Sequence, residues 1–142
     1  MTKRKIHTIV TPTEKKFKEH LQKHLPANIE IHCKVRFADI LRQEITDKLN
    51  IWKDKKIYMM HIDFTLVIKE TQEIILAIEL DDYSHKREKT KLNDDKKKEM
   101  LTESKLHYAR VKVEEMYDMT IINKIVNFCK KKAGKSHVPA SP

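Results

Sequence analysis

HIDFTLVI at residues 61–68 and EIILAIELDD at residues 73–82 decide how this chain folds. Both are short apolar runs rich in β-branched residues, the composition of a buried strand. The strands are expected over Ile57 to Ile68 and over Ile74 to Asp81, with Lys69-Glu70-Thr71-Gln72 as the hairpin turn between them. Three acidic residues break the apolar pattern: Asp63, Glu79 and Asp81. A carboxylate inside a strand needs a cation, a hydrogen-bond network or a metal, because uncompensated burial of charge is very costly.

Period two sets Asp63, Thr65 and Val67 on one face of the first strand, and Ile75, Ala77, Glu79 and Asp81 on one face of the second. A hairpin folded about Glu70 and Thr71 puts Asp63 opposite Glu79, with Cβ atoms about 4.5–5.5 Å apart; a register one residue different puts them on a diagonal. Two carboxylates that close repel, raising the pKa of one, unless a cation lies between them. Mg²⁺ suits such a pair: it takes carboxylate oxygens at about 2.0–2.1 Å and keeps several waters. Taken singly, each acid has an ordinary structural explanation. Asp63 can be satisfied by His61 or a nearby lysine, and Asp81-Asp82 can simply open a polar loop. Two acidic breaks on facing strands favour a site.

Around the hairpin the chain alternates helix and strand. Thr11-Pro12-Thr13-Glu14 is a capping box with proline at the first helical position. Phe17, Leu21 and Leu25 follow on one helical face, and Pro26 stops it. Ile29, Ile31, Cys33, Val35 and Phe37 alternate with polar residues, a strand with one wet face. A polar connection over 38–56 has room for a short helix around Ile40 to Leu49, with Trp52 as an anchor. Residues 86–105 form a solvated helix with a narrow apolar stripe of Leu92, Met100 and Leu101. Leu106 to Val113 is a strand, and a last helix over about 119–132 buries Ile121, Ile122, Ile125, Val126 and Cys129. Gly134, the chain's single glycine, falls where a helix-ending glycine belongs. The expected architecture is an α/β sandwich with a central mixed four-stranded sheet flanked by helices. Residues 1–134 form one domain and residues 135–142 a disordered tail.

Bulk properties narrow the function. Roughly a quarter of the 142 residues are Ile, Leu, Val or Phe, enough for a core. The net charge is +9, with charged residues at 36% and a pI near 9.5, a balance that favours a polyanionic partner. With one glycine there is no P-loop and no GxGxxG turn. Cys33 and Cys129 have no metal-ligand spacing. No apolar run is long enough to span a membrane and no secretory signal opens the sequence, so the expected compartment is a reducing cytoplasm.

IDFTLVI, AIELDDYSH and DDKKKEMLTESKLHYARV together resemble the PD-(D/E)XK nuclease superfamily, in particular its bacterial branch related to very-short-patch-repair endonucleases. The resemblance runs from TPTEKKF to YARVKV and implies a restriction-endonuclease-like fold and Mg²⁺- or Mn²⁺-dependent endonuclease activity on DNA, with RNA as the less favoured polyanion. It implies that Asp63 and Glu79 are the paired metal ligands and that Glu14 is the helix-one glutamate that some members add to the site. Asp81 stands where the motif has its lysine, a departure, and Asp81 with His85 marks this branch. Lys97, spaced D-x-x-K from Asp94, takes the missing lysine's place, and Arg110 matches the strand arginine. Lys105 stands where the helix normally ends in glycine.

Given those roles, the metal polarises the scissile phosphate and activates a water. Lys97 orients that water or stabilises developing charge, or is one more solvated lysine. His85 is a general acid/base, a phosphate contact or a partner of Asp81. Arg110 clamps a phosphate or pairs with Asp94. Lys86, Arg87, Lys91 and Lys98 touch backbone phosphates without reading sequence. A homodimer or a partner protein is expected to supply specificity. The alternatives are a catalytically weak nucleic-acid-binding module and a protein-interaction module of a defence or mobile-element complex.

Overall fold

The computed structural model describes residues 8–41, 47–48, 59–81 and 88–136, with the backbone alone at 88–94, 96, 135 and 136. Helix α1 (Pro12–His24) starts at the expected capping box. The Glu14 N–H donates to the Thr11 hydroxyl at 3.2 Å, and the Thr11 N–H donates to Glu14 Oε1 at 2.9 Å. Strand β1 (Ile29–Arg36) follows and leads into a single helical turn, α2 (Phe37–Ile40). Phe37 therefore opens a helix instead of closing the strand, and its buried ring fills space beside Met60 and Ile62. Most of the connection, including Trp52, lies outside the described residues.

Strand β2 (His61–Ile68) and strand β3 (Ile74–Asp81) form the hairpin. The β2 strand begins at His61, four residues later than its expected start. The register runs Phe64↔Ile78, Thr65↔Ala77 and Leu66↔Leu76, then shifts by one at Val67↔Ile74. That bulge lies on the turn side, so the register at the acidic end is the one the hairpin reading required. β1 pairs antiparallel with β2 from Ile29↔Ile68 to Arg36↔His61. Helix α3 (Glu88–Glu103) then crosses over to strand β4 (Tyr108–Lys112), which lies parallel to β3. A 3₁₀ turn (Val113–Glu115), begun by the last residue of the expected strand, leads to helix α4 (Met119–Ser136).

The sheet order is β1-β2-β3-β4, a mixed four-stranded sheet, and the core has two parts. Phe17 and Leu21 of α1 and Ile122, Val126 and Cys129 of α4 pack with Phe64, Leu66 and Ile78 of the sheet. Phe17 meets Phe64 edge-on at 5.2 Å between ring centroids. Met100 and Leu101 of α3 pack with Phe37, Met60, Ile62 and Ala77. Helices therefore cover both parts of the sheet, an α/β sandwich. Among the described residues no helix is long and apolar enough to cross a membrane.

Two helix ends depart from the ordinary. α3 stops with Lys105 at φ +59°. The Leu106 N–H reaches the Leu101 carbonyl at 3.0 Å and the Lys105 N–H reaches that of Thr102 at 3.1 Å, a Schellman pair with lysine in the glycine position. α4, by contrast, runs through Gly134 to Ser136. The glycine is thus an interior helical residue and the expected helix end at 132–134 is corrected. The apolar face carries the helix two residues past it.

Candidate active site

At the end of the hairpin away from its turn, the ladder gives way to side-chain bonds. The Asp63 N–H donates to Glu79 Oε2 at 3.3 Å, and the Leu80 N–H donates to Asp63 Oδ2 at 3.0 Å. Each carboxylate is thus held by the backbone of the opposite strand. Glu79 is buried, and Asp63 is largely so. Two lysines complete the arrangement. Lys97, on α3, donates to Glu79 Oε1 at 2.6 Å. Lys34, on β1, donates to Asp63 Oδ1 at 3.1 Å and to Glu14 Oε2 at 2.6 Å.

Sequence reasoning passed over Lys34, counting it among the wet-face residues of β1. Its place beside the carboxylates follows from β1 lying next to β2. The β1–β2 ladder pairs Cys33 with Phe64 and Val35 with Ile62, which puts Lys34 level with Asp63. Lys34 has φ +57°, a left-handed conformation inside a strand. Ile62 and Phe64, on either side of Asp63, belong to different parts of the core, so the alternation of faces is broken at the same place.

Three carboxylates share two ammonium groups, and Asp63, Glu79 and Lys34 have their protonation moved by it. Burial pushes the Asp63 carboxyl up, but the hydrogen bond to Glu79, the Lys34 charge and the Leu80 N–H outweigh it and hold it below its ordinary value. Glu79 goes the other way, pushed up to about 8 by burial and then by Asp63, against the pull of Lys97. One member of the pair is ionised while the other keeps its proton readily, as expected of two close carboxylates. Burial alone would lower Lys34, but Glu14 and Asp63 raise it. Of the two ordinary partners expected for Asp63, the lysine is the one found. The His61 imidazole is pushed down by burial, then by Lys34 and Lys97.

The remaining expected residues fall into three groups. Asp81 points to the β4 side, where Arg110 donates to its Oδ1 at 2.7 Å. Arg110 therefore has Asp81 as a partner, while the side chain of Asp94, the partner expected for it, lies outside the described side chains. Lys98 is exposed beside Lys97. Lys91 lies on α3 with its backbone alone described, and His85, Lys86 and Arg87 lie outside the described residues.

Asp63, Glu79 and Glu14 offer only hard oxygen donors, the type that Mg²⁺ and Mn²⁺ prefer. Among the described residues no group of three or more His, Cys, Asp or Glu side chains converges closely enough to hold a metal ion. Both oxygens of Asp63 and both of Glu79 already accept hydrogen bonds. The donors are of the type a magnesium ion takes, and in this arrangement the Lys34 and Lys97 ammonium groups supply the positive charge beside them.

Residues 6–128 match a family model described as "Protein of unknown function (DUF2726)". No curated protein and no solved structure matches the chain.

Proposed function

Starting from the chain's membership of the DUF2726 family, we propose that it is a metal-dependent endonuclease of restriction-endonuclease-like fold, hydrolysing phosphodiester bonds in DNA. The observation that carries this reading is the reciprocal bonding of Asp63 and Glu79 across the hairpin, with Lys97 brought onto Glu79 from the following helix. A buried pair of carboxylates costs more than an apolar pair of similar volume. Its presence at one end of an otherwise apolar hairpin is economical only if the charges are used.

Asp63 and Glu79 would hold Mg²⁺ or Mn²⁺, and the bound ion would supply Lewis acidity and a water of lowered pKa. Glu14 adds a third carboxylate through Lys34. Lys97 places a fixed positive charge beside Glu79, suited to stabilising the charge that develops on a phosphate. The net charge of +9 would draw the polyanion in and hold its backbone. The resemblance to PD-(D/E)XK nucleases supports the same assignment. A reducing cytoplasm belongs to this proposal, and Cys33 and Cys129 are both free thiols.

A second reading is favoured by two specific observations. Asp81 occupies the motif lysine's place and pairs with Arg110, and every oxygen of Asp63 and Glu79 is already bonded. On that reading the fold is a nucleic-acid-binding or protein-interaction module whose acids serve structure. Plasmid nicking in Mg²⁺ and Mn²⁺, wild type against Glu79→Ala, separates them. A nuclease nicks, and the variant binds DNA without cutting. A protein that binds in a salt-dependent way but cuts with neither metal is the module.

A further inference from the structure

We propose that Lys34 is a tethered cation that holds Glu14 and Asp63 ready for a divalent ion and is displaced from them when that ion binds. The inference rests on the metal-dependent reading above and assigns a role to a residue that reading does not use.

Three features of Lys34 point the same way. Its backbone is left-handed at φ +57° within a strand, a conformation costing a residue with a Cβ about 1–2 kcal/mol. Such strain persists only where the surroundings enforce it. Its ammonium bridges carboxylates from two different elements, Glu14 on α1 at 2.6 Å and Asp63 on β2 at 3.1 Å. Both of those side chains are more enclosed than its own, at 11% and 18% exposure against 28%. Lysine is also the residue suited to leaving. Its ammonium is a compact, strongly hydrated charge on a flexible stem, whereas arginine would grip the same carboxylates with a planar fork.

The two lysines consequently differ. Lys97 reaches one carboxyl group, Glu79, at 2.6 Å. Lys34 prevents two carboxylates from repelling each other while no other cation is present. A divalent ion on Asp63 supplies that charge itself and repels the ammonium. The freed side chain then swings outward on its stem, toward an incoming phosphate.

The test uses the full chain without DNA. Mn²⁺ binding is followed by loss of the free-ion electron paramagnetic resonance signal, and thermal melting is recorded in EDTA and in Mn²⁺. Lys34→Met is expected to melt lower than wild type in EDTA, to bind Mn²⁺ about tenfold more tightly, and to gain more melting temperature from Mn²⁺. Lys34→Arg, which keeps the charge and so the fold, is expected to bind Mn²⁺ several-fold more weakly than wild type. A purely structural ion pair predicts unchanged or weaker Mn²⁺ binding in Lys34→Met. That result overturns the proposal, as does tighter binding by Lys34→Arg should Lys34→Met not fold. If wild type binds Mn²⁺ and nicks DNA while Lys34→Met binds no tighter, only the role of Lys34 fails. If neither protein binds Mn²⁺, the metal-dependent reading fails with it.

Discussion

Asp63 and Glu79 are each held by the main chain of the opposite strand: the Asp63 N–H reaches Glu79 Oε2 and the Leu80 N–H reaches Asp63 Oδ2. At this end of the hairpin the acids replace part of the backbone ladder, so the same bonds that close the sheet also aim the carboxylates. Changing either acid perturbs the strand pairing as well as the site, which is why amide replacements are the informative ones.

Glu79 gives the metal-free protein a distinctive pH response. Its carboxyl is raised from an ordinary 4.5 to about 8, by burial first and Asp63 second. A raised acid favours its neutral form in the fold, so its stabilising contribution is complete below about pH 4.5 and is lost as pH climbs through about 8. Asp63 is held low and makes a constant contribution across that window. Urea unfolding in EDTA should show wild type losing stability between about pH 4.5 and pH 8, and Glu79→Gln losing much less. Equal losses in both proteins would place the raised carboxyl elsewhere.

Lys97→Met removes the ammonium from a buried Glu79. The expected cost is about 1–3 kcal/mol, limited because Glu79, its carboxyl already raised to about 8, keeps its proton readily. Adding Glu79→Gln should recover part of that loss, with a coupling of at least about 0.5 kcal/mol in a double-mutant cycle. Additive single effects would mean that the 2.6 Å contact contributes nothing to the fold.

Lys105 holds a left-handed helix end at φ +59°. Lys105→Gly should stabilise by about 0.5–1 kcal/mol in chemical denaturation, since the relieved strain exceeds the extra freedom of the unfolded chain. Destabilisation would show that the lysine side chain is making a compensating contact.

Gly134 lies inside α4, and a Cβ added there meets nothing within 4 Å. Gly134→Ala should therefore raise stability by about 0.5–1 kcal/mol, the helix-propensity difference in an open position. A loss of stability would mean that the helix ends earlier, as the glycine's position in the sequence invites one to assume.

Local chemistry made much of the fold legible. The capping box at Thr11 and Glu14, the bounds of β3 and the facing of Asp63 and Glu79 all follow from spacings of a few residues. Glu14 and Lys97 were nominated through the family resemblance, and both lie against the site. Lys34 was not legible, because its role depends on β1 and β2 pairing across a connection whose length conceals the register. Periodicity assigns a lysine to the wet side of a strand, but it says nothing about which neighbour that side faces. The end of α4 was misjudged for a related reason. One glycine is a weak stop against an apolar face that continues to Ala133.

Glu14, Lys34, Asp63, Glu79 and Lys97 come one apiece from α1, β1, β2, β3 and α3. Only Asp63 and Glu79 meet within one local element, the hairpin. A nascent chain still short of α3 carries four of its members with Glu79 lacking its ammonium, and a chain clipped after α1 loses Glu14 from the rest. The constellation is therefore complete only when the last helix to contribute has closed onto the hairpin.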